Sequence, residues 1–260
     1  ESVHTRESVT EMQMDVVAQR AVDTIPGLLQ LLENTNENNL DAEISILKNW
    51  DGRMSTDSVG ASLFEVFFAN WTKEVAAARF PANLVPLMAG AASGLSTQLI
   101  TEDPYDWFSP GERAKAAHRA MEKTIDDLYK DAGQDKSKWN WGAIHKVHLH
   151  HPLSELGQIF NRLSRGGQGV GGSGITVSNT GFDPNYLAVM GANYRLVADL
   201  SDDPPGLWAV DAAGQSGNPG SVNYCDQLDS WMQNSQHFIA LDRKQVDENT
   251  TAKLIIRSSR

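Results

Sequence analysis

The apolar residues of this chain change their period part-way along it. Up to about residue 135 they recur at helical spacing, and from residue 136 they alternate or fall in short runs between glycines. A repeat of 3.6 residues buries one stripe of a helix and a repeat of two buries one face of a strand. The expected fold class is therefore α+β, with a helical region over 1–135 followed by an antiparallel, β-rich region over 136–260.

Within the first region, Ser8 with Glu11 three residues later reads as a capping-box start, followed by Val9, Met12 and Val16 at helical spacing. Pro26-Gly27 is expected to interrupt, with Leu28, Leu29 and Leu32 on a second helix. The Asn-rich stretch 34–39 reads as a loop, and Ile44 and Leu47 as a short helix ending at Trp50, before the turn signal Asp51-Gly52. A long buried helix is predicted over 58–78, where Val59, Leu63, Phe64, Phe67, Phe68, Trp71 and Val75 cover more than one face. Residues 80–104 carry no clear period. Ser109-Pro110-Gly111-Glu112 then predicts a helix start with a serine cap, and Gly133 its end. In the second region strands are predicted over 144–149, 175–178, 193–200, 207–210, 238–241 and 254–256, with one short helix at about 224–233. Leu196, Val197, Trp208 and Val210 are expected to need a covering layer.

The 260 residues carry a formal net charge of −11, with no cluster of Lys and Arg to offset it. Such a surface is repelled by duplex nucleic acid and by anionic membranes, so neither is an expected partner. No apolar run approaches the roughly 18 residues of a membrane span, and Glu1-Ser2-Val3-His4 lacks the basic-then-apolar pattern of a signal peptide. Cys225 is the single cysteine, which excludes an internal disulfide and a cysteine-based zinc site.

Several residue groups could carry chemistry. His148 and His150 would share one face of a strand, with His145 and His151 beside them, but no third ligand at metal spacing completes a set, so no metal site is assigned. The run Gly166–Gly172 contains the pattern of a dinucleotide loop, yet Ile175-Thr176-Val177 after it reads as strand where that site needs a helix, so a turn feeding a strand is expected. Gly214-Gln215-Ser216-Gly217 only loosely resembles a nucleophile turn, because Asn218 stands where the hydrolase elbow has glycine; a turn between strands is expected. Cys225 is expected to pack inside a helix. Asn70-Trp71-Thr72 and Asn249-Thr250-Thr251 match the glycosylation acceptor pattern, the first in mid-helix.

Taken in order, several segments resemble the C-terminal portion of the penicillin acylase (penicillin amidase) family. They are Met12-Gln13-Met14-Asp15, Leu47-Lys48-Asn49-Trp50-Asp51-Gly52, and Trp139-Asn140-Trp141-Gly142 with His145 and His151-Pro152. The series continues with Gly171-Gly172-Ser173-Gly174-Ile175-Thr176-Val177 and Gly191-Ala192-Asn193-Tyr194-Arg195 with Asp199-Leu200. It closes with Gly214-Gln215-Ser216-Gly217, Ser221, Tyr224, Asp226-Gln227 and Trp231.

The resemblance implies an N-terminal-nucleophile hydrolase of αββα architecture, two packed antiparallel sheets between helical layers. In that family a precursor cuts itself to expose a serine at the start of the large subunit. The serine attacks an amide with its own α-amino group as base, and backbone N–H groups with an asparagine stabilise the oxyanion. The implied substrates are N-acyl compounds such as β-lactam side chains and acyl-homoserine lactones. The implied setting is bacterial, periplasmic or secreted, and includes antibiotic biosynthesis. The chain begins with Glu1, so it is expected to lack the nucleophile, the oxyanion asparagine and the calcium ligands, leaving no catalytic residue and no metal ligand to assign here. Calcium is then an expectation for the longer enzyme only, and substrate-binding residues are left unassigned. The expected partners are the upstream part of the same protein (small subunit and N-terminal part of the large subunit), an N-acyl substrate, and a second copy through self-association. A non-catalytic interaction module and a histidine-cluster metallohydrolase are the alternatives.

Overall fold

The computed structural model describes residues 4–33, 40–201 and 203–258, so the loop expected at 34–39 lies outside the described residues. The fold is mixed α+β, with helix outweighing strand. In chain order the helices are α1 Arg6–Gln13, α2 Gln19–Glu33, α3 Asp41–Asn49, α4 Val59–Ala77, α5 Val85–Ala91, α6 Ser93–Thr101, α7 Glu112–Ala132, α8 Trp141–Ile144, α9 Leu228–Met232 and α10 Arg243–Glu248. The strands are β1 Lys146–Leu149, β2 Arg165–Gly169, β3 Thr180–Phe182, β4 Ala188–Gly191, β5 Tyr194–Asp199, β6 Gly206–Asp211 and β7 His237–Ile239. The chain divides into two compact units, Asp15–Gly191 and Glu1–Met14 with Ala192–Arg260.

In the larger unit α4 is the central element. Ser58 caps it by accepting the Ala61 N–H at 3.1 Å, and it packs on α7, α5, α3 and α6. Its apolar residues cover most of its circumference, so Leu63, Phe64, Val66, Phe67, Trp71 and Val75 are all buried. Trp71 stacks on Phe108 at 5.5 Å and on Phe67 at 6.3 Å, and its indole N–H donates to the Ser96 carbonyl at 2.8 Å.

The helix starts and stops at 58 and 133 are as expected, and three other boundaries are not. The capping box of α1 sits one turn earlier. Thr5 Oγ1 accepts the Ser8 N–H at 3.2 Å while Ser8 Oγ accepts the Thr5 N–H at 3.0 Å, so serine performs the role assigned to Glu11. Pro26 does not interrupt α2. Losing one N–H is outweighed by burial of Ala21, Thr24, Leu28, Leu31 and Leu32 along one face. The start of α7 has left-handed Gly111 as its cap residue, at φ 76°, with no side-chain cap, and Ser109 contributes only its carbonyl.

Four strands of the larger unit pair in the order β2-β1-β4-β3. The expected all-antiparallel sheet is corrected by one pair, since β1 and β4 run parallel, which the long connection between them permits. The glycine run, expected as a turn feeding a strand, is itself strand β2. Gly166 lies opposite His148 at φ 112°, and a Cβ there would stand 2.1 Å from the Val147 carbonyl oxygen. Only glycine admits so close a neighbouring strand. Residues 175–178 are not strand. The Thr176 hydroxyl accepts the Ser173 N–H at 2.9 Å and donates to the Ser178 carbonyl at 2.8 Å, closing a tight turn that occupies groups a ladder would need.

In the smaller unit β5, β6 and β7 form an antiparallel sheet in that order, with Val197 opposite Trp208 and Trp208 opposite Phe238. Helix α1 lies on β5, where the Gln13 side-chain amide donates to the Leu196 carbonyl at 3.0 Å. The expected exposure of this sheet is corrected in part. Val197 and Val210 are buried and Arg6 lies over Trp208 at 4.7 Å, whereas Tyr194, Leu196 and Phe238 are exposed. The helix expected at 224–233 begins at Leu228, after a 3₁₀ turn at Val222–Tyr224. Residues 254–256 form no strand, and Leu254, Ile255 and Ile256 all stand exposed.

Candidate functional site

Two motif segments of the larger unit, 139–142 and 171–177, are joined at His145. Helix α8 is placed first. Trp141 N–H donates to the Ser58 carbonyl at 3.0 Å and Gly142 N–H to the Thr56 carbonyl at 2.7 Å. A Cβ on Gly142 would lie 2.9 Å from Thr56 Cβ, so glycine is needed for that approach. Trp141 is fully buried and its indole N–H donates to the Gly172 carbonyl at 2.8 Å, which ties α8 to the glycine segment.

His145 then stacks on Trp141, with ring centroids 4.3 Å apart. Its Nδ1 lies 2.8 Å from the Tyr186 carbonyl oxygen. A carbonyl only accepts, so Nδ1 carries the hydrogen. Nε2 lies 3.0 Å from Thr180 Oγ1, and that hydroxyl also lies 2.9 Å from the Gly171 carbonyl oxygen. One hydroxyl proton thus serves two acceptors. Protonating Nε2 would satisfy every group, but burial opposes the charge and pulls the His145 pKa down to about 4. At neutral pH His145 is therefore a neutral ring with both nitrogens engaged. It fastens α8, the 171–180 turn and the Tyr186 loop together. Shut away from solvent, it is a positioning group rather than a base for an incoming substrate.

The other histidines do not complete a site. Strand β1 ends at Leu149, so His148 and His150 do not share a strand as expected, although their rings lie 5.6 Å apart. His150 has Glu155 Oε1 at 3.5 Å from Nε2 and Ser154 Oγ at 3.3 Å from both ring nitrogens. Equal distance to both nitrogens puts the hydroxyl off the Cε1 edge, away from either lone-pair direction. That hydroxyl donates to the His151 carbonyl at 2.6 Å, so serine, histidine and glutamate stand together without a nucleophile–base hydrogen bond. His151 Nδ1 accepts the Leu153 N–H at 3.1 Å and caps a 3₁₀ turn. Among the described residues no group of three or more His, Cys, Asp or Glu side chains is placed to hold a metal ion.

Ser216 lies on the loop from β6 to α9, which leads to a helix rather than the second strand expected. Its Oγ accepts the Asn218 N–H at 3.1 Å and its N–H donates to the Asn223 carbonyl at 3.0 Å. Cys225 sits half-buried in a bend just before α9, not inside a helix. Asn70 is buried, donating to Thr124 and Asp127 at 3.3 and 3.1 Å, so its acceptor pattern is closed off within the core.

Glu65 and Arg195 are among the buried charged side chains not singled out in the sequence. Glu65 on α4 is raised to about 7, chiefly by burial, with Arg20 pulling the other way. Arg20 lies over the Phe68 ring at 4.2 Å and donates to Ser93 Oγ at 3.0 Å. The signal was an acid set within the apolar run Leu63-Phe64-Glu65-Val66-Phe67-Phe68. In the smaller unit Arg195 is buried under Trp231, with its guanidinium 4.6 Å from the ring centroid.

With this geometry in place, comparison with known proteins settles the family. Residues 1–248 match the family described as penicillin amidase. The chain belongs to that family. Among its relatives is an acyl-homoserine lactone acylase QuiP of Pseudomonas syringae pv. syringae, 26% identical over 247 residues, covering 88% of this chain and 29% of the relative. A QuiP acylase of Pseudomonas putida is 29% identical over 208 residues, covering 71% of this chain and 24% of the relative. A penicillin acylase 2 proenzyme of Pseudomonas sp. (strain SE83) is 27% identical over 193 residues, covering 70% and 24%. The amidase-family chain thus spans under a third of the length of these relatives.

Proposed function

We propose that this chain is the C-terminal part of the large subunit of an acylase that cleaves the amide of N-acyl substrates, acyl-homoserine lactones or β-lactam side chains. The observation that carries the reading is the family match over nearly the whole chain, to relatives named as acylases of which the aligned region is under a third. The nucleophile is an N-terminal serine outside this chain. Its hydroxyl adds to the amide carbonyl and passes its proton to the α-amino group, which returns one to the leaving amine; water then releases the acyl group. The residues of this chain do not touch the reacting atoms. They form part of the αββα body, in which the His145 knot fixes the packing of one sheet. The setting is periplasmic or secreted.

Calcium is tested by the donor set. The described carboxylates do not gather at metal spacing, so these residues do not fit a calcium site and no step is derived through one. The exposed Tyr194, Leu196 and Phe238 of the small sheet are where we place contact with the upstream part of the protein, or with a second copy in its absence.

The chain alone is expected to show no hydrolysis of a chromogenic phenylacetyl amide or of acyl-homoserine lactones. Turnover that survives purification and vanishes in Ser216→Ala would overturn the reading and put the nucleophile within this chain.

A further inference from the structure

Arg195 is a buried cation with an unused recognition edge. It projects from β5 opposite Val210 and is 4% exposed. Its Nη1 donates to the Trp231 carbonyl, its plane lies over the Trp231 ring, and its Nε is buried without a hydrogen-bond partner. No described carboxylate pairs with it.

Other arginines of the chain show what is missing. Arg20 faces Glu65. Arg119 turns its Nε and Nη2 together onto one carboxylate oxygen, Glu74 Oε2, at 3.0 and 2.7 Å, and its Nη1 to Glu112 at 2.7 Å. The Nε–Nη2 edge is the one that grips a carboxylate side-on with two parallel bonds. In Arg195 Nη1 is taken, and the orphaned Nε belongs to that same edge.

A desolvated cation is tolerated when an anion meets it and is costly when none does. The indole face offers partial compensation only. An apolar side chain would fill the position more cheaply if packing were all that it supplied. We propose that Arg195 is one partner of a buried ion pair whose carboxylate comes from a segment of the longer protein outside residues 1–260. This rests on reading the chain as one part of a longer acylase.

The test compares the wild-type chain with Arg195→Met and Arg195→Lys, each alone and co-produced with the remainder of the protein. For the chain alone, the urea midpoint of Arg195→Met is expected to be unchanged or raised. Its association with the remainder is expected to weaken at least tenfold, and lysine, which keeps the charge and loses the fork, to restore only part. Wild-type association is expected to weaken as pH falls through the carboxylate range, and Arg195→Met to lose that dependence. A urea midpoint lowered in step with association would overturn the proposal, because Arg195 would then serve its own unit. Full association of Arg195→Met would overturn the proposal and leave the acylase reading standing. A wild-type chain that never associates would overturn both.

Discussion

Trp71→Ala is expected to cost about 3–5 kcal/mol in folding stability, the range for truncating a large buried aromatic. Trp71 is fully buried between Phe67 and Phe108, and its indole N–H holds the Ser96 carbonyl at 2.8 Å. Truncation opens a cavity at the α4–α6 contact and removes the indole bond to the Ser96 carbonyl. Whole domains are stable by only about 5–15 kcal/mol, so one substitution removes a large share of the reserve. Urea denaturation checks it. Trp71→Phe, which keeps most of the ring and loses the hydrogen bond, should recover more than half of the loss. A loss below about 1 kcal/mol, typical of a surface site, would show that α4 is not the centre of the core.

Glu65→Gln is expected to change how stability depends on pH. The signs come from folded and unfolded pKa values. His145 has a folded pKa of about 4 against an ordinary 6.5, so the unfolded chain binds its proton first, and stability falls as pH drops from 6.5 to 4. Glu65 has a folded pKa of about 7 against 4.5, so the unfolded chain ionises first, and stability falls as pH rises from 4.5 to 7. Each shift of about 2.5 units corresponds to about 3 kcal/mol. Over the shared window the two slopes oppose each other and wild-type stability is nearly flat. Removing the Glu65 titration leaves the His145 slope alone, so Glu65→Gln should gain about 3 kcal/mol between pH 4 and 6.5. His145→Gln should show the reverse, losing stability from pH 4.5 to 7. A Glu65→Gln profile as flat as wild type would mean that His145 is not held neutral in the folded state.

Legibility in the sequence divides along physical lines. Helices α4 and α7 were legible because apolar spacing and a boundary signal agree: a cap at Ser58 before one, a stop at Gly133 after the other. Helices α5 and α6 were not, since a segment containing Pro86, Gly90 and Gly94 has little helical preference of its own and is held by burying Ala89, Leu99 and Ile100. Pro26 misled for the same reason: packing outweighed propensity. Strand β2 was illegible because glycine has no strand preference; at Gly166 it pairs with β1 so closely that no side chain would fit.

The site divides likewise. His145 stood out as a residue, but its role did not, because Thr180 and Tyr186 lie 35 and 41 residues further on. The family could be read from short motifs spread along the chain. The buried hydrogen-bond knot that joins two of them, at Trp141 and Gly171–Gly172, is visible only once the fold brings His145 and Thr180 between them.

The most direct measurement is amide hydrolysis by this chain co-produced with the remainder of its longer protein. On the present account the assembly hydrolyses a phenylacetyl amide or an acyl-homoserine lactone, and omitting the 260-residue chain abolishes that activity. If the remainder alone is as active as the assembly and the chain stays a separate, monodisperse monomer beside it, the account is contradicted.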